Sequence, residues 1–145
     1  MSKKCLANCC KVINHNMLNF VKNGLKALSK SHKKCVKASN CKNFCSLQLD
    51  GGLCFSGTFD YLIICFDAQN TRCIALEIHP ADTSEVTTIK QKLQRTEECR
   101  KQNNCSNWNY YWVPPSGKGI SIKKDSRKRK EIAQLGIQIC RQVEI

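Results

Sequence analysis

Two acidic residues seventeen positions apart, Asp60 and Glu77, bracket a pair of apolar runs, and His79 follows two residues after Glu77. The runs, Tyr61–Phe66 and residues 73–78, are rich in Ile and Leu and are divided by a polar stretch from Asp67 to Arg72. This is the pattern of two strands of a hairpin. With Asp67 opposite Arg72 across a four-residue loop, Asp60 falls opposite His79. Alternation then puts Asp60, Glu77 and His79 on one face. Two carboxylates beside a third ligating side chain suit a hard divalent cation. The plainer reading is that both carboxylates emerge into solvent at strand ends.

The elements needed to position these groups follow from the flanking sequence. The face of Glu77 also carries Leu62, Ile64, Phe66, Cys73 and Ala75, and the other carries Tyr61, Ile63, Cys65, Ile74, Leu76 and Ile78. Strands apolar on both faces are central and covered on two sides. Upstream, residues 12–28 place Ile13, Met17, Phe20, Val21, Gly24 and Leu28 on one stripe and predict an amphipathic helix. A first strand is expected near residues 44–49, closed by Asp50-Gly51-Gly52. Downstream, Asp82 to Glu85 forms a capping box. It opens a second helix with a stripe of Val86, Ile89, Leu93 and Thr96, fraying near residues 102–104. Asn109–Val113 reads as a fourth strand stopped by Pro114 and Pro115. The predicted fold class is α/β, with an α+β-like mixed sheet. Its core runs helix, three strands, helix, strand, with helices covering the sheet.

This order, with an acidic residue opening the second core strand and another closing the third, resembles the PD-(D/E)XK phosphodiesterase superfamily of restriction and repair endonucleases. The resemblance covers about residues 12–113. It implies that Asp60 and Glu77 bind Mg²⁺, with Mn²⁺ as a substitute, and that the protein is a metal-dependent nuclease. His79 stands where the family has Lys, and Phe59 precedes Asp60 where the family has Pro. A Lys there would orient water and offset phosphate charge. His79 can hold a water, act as a base near neutral pH or ligate metal. Alternatively, Lys90 or Lys92 supplies the cation from the following helix. The first predicted helix has no acidic residue, so an inactive nucleic-acid- or protein-binding module of the same fold is the alternative.

Charge is an independent sign. The chain has 24 Lys and Arg against 11 Asp and Glu, a net charge of +13. Residues 1–49 hold ten Lys and no acidic side chain, and a second basic block spans residues 123–130. Such clusters are the footprint of a polyanion binder. Nucleic acid, DNA or RNA, is the expected partner, with phospholipid the main competitor. Trp108, Tyr110, Tyr111 and Trp112 could stack bases, but strand alternation favours core packing for them. Residues 114–119 lack the spacing of a nucleotide-triphosphate loop.

The twelve cysteines reach the density of a disulfide scaffold. No apolar run follows Met1 to Cys5, so no signal peptide is visible. A reducing cytoplasm and mostly free thiols are expected. Cys65 and Cys73 are predicted as small core residues. Structural zinc at Cys35, Cys41, Cys45 and Cys54 is a less favoured reading, because their spacings match no common zinc module. No stretch approaches the roughly 20 apolar residues of a membrane span. One domain over residues 1–145 is expected, with a basic, least-ordered segment near 29–43. From about residue 116 a C-terminal extension adds a further edge.

Overall fold

The computed structural model describes residues 13–67 and 70–145. Its strands are β1 (Lys22–Asn23), β2 (Val36–Lys37), β3 (Asn43–Gln48), β4 (Tyr61–Phe66), β5 (Thr71–Ile78), β6 (Asn109–Val113), β7 (Ile137–Ile139) and β8 (Val143–Glu144). Two α-helices, α1 (Val86–Gln102) and α2 (Arg127–Gln134), complete the main elements. Six strands form one sheet in the order β1-β3-β4-β5-β6-β7, and β2 pairs with β8 separately. The β1, β3, β4 and β5 neighbours are antiparallel, while β5, β6 and β7 are parallel. The fold is therefore α+β with a mixed sheet, as the element order predicts. α1 makes the crossover that parallel strands require. No described helix is long and apolar enough to cross a membrane.

β4 is buried along its whole length and β5 from Cys73 onward, as two-sided apolarity demands. One face packs Leu62, Ile64, Phe66, Cys73 and Ala75 with Val86 and Ile89 of α1 and Ile132 of α2. The opposite face packs Ile63, Ile74, Leu76 and Ile78 with Leu28, Val143 and Ile145. Tyr110 and Trp112 join the α1 face with Trp108, and Tyr111 lies against the other. These aromatics are core, not an exposed stacking surface. Residues of the C-terminal extension fill the sheet edge through β7. Gly136, with φ +80°, turns the chain from α2 into that strand.

Several expectations need correction. Residues 12–28 are not a helix; the described part is a 3-10 helix, His15–Phe20, followed by β1. The helix-like spacing arises because the chain rounds the sheet edge. Ile13, Met17 and Val21 pack on the α1 face, Leu28 packs on the opposite face, and Phe20 is 41% exposed. One straight helix cannot serve both faces. Several Asn residues lower helix propensity here, and Gly24, with φ +58°, sends its N–H to Phe44 O. Val12 lies outside the described residues.

The β4–β5 register is also shifted by two residues. Tyr61 pairs with Leu76, Phe66 pairs with Thr71, and Asp67 N–H donates to Asn70 O. Extending that register puts Asp60 opposite Glu77 rather than His79. An even shift preserves the faces, so the convergence of the two carboxylates is tightened and not lost. Segment 29–43 is also more structured than its composition suggests. It contains a 3-10 helix, His32–Cys35, and the paired β2 strand, and buries Cys35, Val36 and Cys41.

Most of the described cysteines are free thiols, as expected, but four are paired. Disulfides join Cys41 to Cys65 and Cys54 to Cys99. Cys73 is a buried core residue, as predicted. Cys5, Cys9 and Cys10 lie outside the described residues. No more than eight of the twelve thiols are therefore expected to react in denaturant before reduction, and all twelve after it. Loss of the Cys54–Cys99 bond in Cys54→Ser should cost roughly 2–4 kcal/mol of stability in urea melts. Twelve alkylated cysteines in protein trapped in denaturant without reduction would contradict both bonds.

Candidate functional site

The end of the sheet at which β4 begins and β5 stops gathers the polar groups. Asp60 immediately precedes β4, and its Oδ2 accepts from Ile78 N at 2.9 Å. Glu77 is the penultimate residue of β5, and its side chain is fully buried on the α1 face. Above it Lys92 reaches down from α1, placing Nζ 2.5 Å from Glu77 Oε1. Lys92 lies three residues after Ile89 and four before Thr96. It therefore occupies the inward helix face, and only 19% of its side chain is exposed.

Thr96 fixes this geometry. Its hydroxyl accepts the Phe59 N–H at 2.8 Å and donates to Lys92 O at 2.6 Å. One buried side chain thus ties the helical turn of Lys92 to the backbone just before Asp60. Trp112 Nε1 donates to His79 O at 3.0 Å, and His79 N donates to Val113 O. These bonds hold the end of β5 in line with β6.

His79 sits between two carboxylates. Its Nε2 is 2.6 Å from Glu85 Oε2, and its Nδ1 is 3.7 Å from Glu77 Oε1. The first is a hydrogen bond and the second is too long for one. Glu85 does not close the capping box; Asp82 Oδ1 alone caps, accepting from Ser84 N. Lys90 points away and pairs with Glu131 of α2. Of the predicted site residues, Asp60, Glu77, His79 and Lys92 converge, and Lys90 does not.

Burial and charge both act on the carboxylates. Burial, followed by the negative charge of Asp60, pushes Glu77 up to about 7, against the opposing pull of Lys92. Asp60 is raised by burial, partly offset by the Ile78 N–H and by the charges of Lys92 and His32. Burial alone would lower the Lys92 ammonium, but the hydrogen bond and charge of Glu77 outweigh it and hold it above its ordinary value. Asp50 adds negative charge to the same neighbourhood. Its Oδ1 accepts from Gly57 N at 2.7 Å. The sequence marks Asp50 only as a turn residue, and Thr96 only as a stripe position.

Glu77 Oε2 is buried with no hydrogen-bond partner. A buried carboxylate oxygen without a partner is costly, and a cation would satisfy it. Among the described residues no group of three or more His, Cys, Asp or Glu is arranged to hold a metal. Mg²⁺ needs fewer protein ligands, since it keeps several waters and is held by one or two carboxylates. The donor set of Asp60 and Glu77 fits that ion. The four cysteines considered for zinc are not brought together. Cys35 and Cys41 lie on one face of the sheet and Cys45 and Cys54 on the other. No protein family, curated protein or solved structure matches this chain.

Proposed function

We propose that this protein is a metal-dependent phosphodiesterase of the PD-(D/E)XK type acting on nucleic acid. The observation that carries the reading is the meeting of Asp60, Glu77 and Lys92 at one sheet end, with an unpartnered Glu77 oxygen. Lys92 stands for the motif cation that is missing from the position of His79. Asp60 and Glu77 would hold Mg²⁺, which when bound lowers the pKa of water and acts as a Lewis acid toward phosphate. Lys92 places positive charge where phosphate charge develops. His79, anchored by Glu85, borders the site and can position or accept a proton from water.

Basic surface beside this end supports a polyanionic substrate. Lys34, Lys118 and Arg141 surround a hollow of about 440 Å³ formed with residues 115–117 and 119. The loop of residues 114–119 follows β6, whose last residue, Val113, pairs with Ile78. Arg127, Lys128 and Lys130 extend the charge along α2.

The test is incubation of the purified chain with single- and double-stranded DNA and RNA, with Mg²⁺, Mn²⁺ or chelator. Cleavage that needs the ion is expected. Binding followed by anisotropy should fall with salt at a log–log slope of roughly −5, as for about six neutralised phosphates. Salt-sensitive binding without cleavage of any substrate would leave a binding module of the same fold, with a vestigial site.

A further inference from the structure

Phe55 is 85% exposed, far more than any other large apolar side chain described. It is held on the loop between β3 and β4, five residues before Asp60. Cys54, its neighbour, is bonded to Cys99 of α1. On the other side Thr58 Oγ1 donates to Phe55 O at 3.3 Å, Gly57 N is bound by Asp50, and Phe59 N by Thr96. The ring is therefore displayed in water on a loop pinned at several points. A pinned aromatic loses little freedom when a flat partner covers it.

Beside it lies a hollow of about 230 Å³ whose lining includes Phe55, Ser56, Thr58, Arg95, Glu98 and Gln102. Arg95 lies one helical turn beyond Lys92, and among the described residues it makes no hydrogen bond or ion pair. Its guanidinium lies over Gly57, where any Cβ would collide with Nη1. Gly57 has φ +87°, a turn conformation that favours glycine, and a side chain there would displace the guanidinium.

We propose that Phe55 and Arg95 form a subsite for an unpaired nucleotide of the strand entering the Asp60–Glu77 site. The base stacks on the Phe55 ring and the adjoining phosphate meets Arg95. This rests on the nuclease reading above and narrows its substrate to nucleic acid with a single-stranded segment. A free ring can take a base face only where that face is not already stacked in a duplex. Arg95 offers the planar donor set that phosphate favours, and Glu98 can accept from a base amino group.

The test uses the full chain in chelator, with a labelled oligothymidylate and the same backbone carrying abasic sugars. Phe55→Ala should weaken oligothymidylate binding about tenfold, within the range of base–aromatic stacking, and leave abasic binding unchanged. Phe55→Trp should restore it. Arg95→Gln should weaken both probes and reduce the salt slope by about one. Equal effects of Phe55→Ala on both probes, or none on either, overturn the subsite. So does a Phe55→Ala variant that only loses self-association in gel filtration, which would assign the ring to protein contact. Asp60- and Glu77-dependent cleavage with unchanged Phe55→Ala binding removes the subsite and leaves the nuclease. A parent that neither binds nor cleaves removes both.

Discussion

Lys92→Met should lower metal-dependent cleavage by about 10²–10³-fold, the usual loss when a preorganised group facing developing charge is removed. Lys90→Met should leave the rate nearly unchanged. The two lysines are two residues apart on α1 and differ only in the side of the helix they occupy. Lys92 lies over Glu77 with its ammonium 2.5 Å from Oε1, while Lys90 is taken by Glu131 on the neighbouring helix. The Lys92 change also removes the pull that opposes the upward shift of Glu77. Its carboxyl should then hold a proton at still higher pH, and the metal concentration for half-maximal rate should rise as well. His79→Ala should cost less than Lys92→Met, because its ring is drawn toward Glu85 and stands 3.7 Å from Glu77. Single-turnover rates across a Mg²⁺ titration separate these effects. Equal losses from Lys90→Met and Lys92→Met would remove Lys92 from the motif role.

The contrast between these lysines also marks what a sequence can carry. Sheet faces were legible because apolar residues filled both sides of two consecutive runs, leaving Glu77 and Asp60 as the polar exceptions. The faces survived a two-residue register error because only parity matters to them. Helical phase was partly legible: Val86, Ile89 and Thr96 define the buried stripe. Lys92 falls within that stripe by spacing, which distinguishes it from Lys90 once the phase is taken seriously. The N-terminal segment misled because its period of three to four matched a helix. The same spacing served a chain that wraps a sheet edge and gives Leu28 to the far face. Contacts between distant segments had no local signal at all. The Thr96 bridge to Phe59 and the Cys54–Cys99 bond, 45 residues apart, depend on how loop and helix meet.

Glu77→Gln should abolish cleavage and also change how stability depends on pH. In the folded protein Glu77 is held at about 7, against an ordinary value of 4.5, chiefly by burial and then by Asp60. The folded state therefore binds this proton more tightly than the unfolded state. The contribution is fully present below about pH 4.5, declines as pH rises through the window from 4.5 to 7, and is gone above it. Linkage sets the limiting slope at about 1.4 kcal/mol per pH unit for one proton. Glutamine does not titrate, so in chelator the stability of Glu77→Gln relative to the parent should climb across that window and then level off. Asp60, also raised, contributes a decline of the same sign in both proteins. A divalent ion must displace the same proton, so metal affinity of the parent should rise by up to about tenfold per pH unit below 7. Urea unfolding of both proteins at a series of pH values measures the first effect, and calorimetric Mg²⁺ titration the second. A flat stability difference would mean that Glu77 stays ionised against Lys92 across this range. The site would then be a closed ion pair, and metal would have to break it to enter.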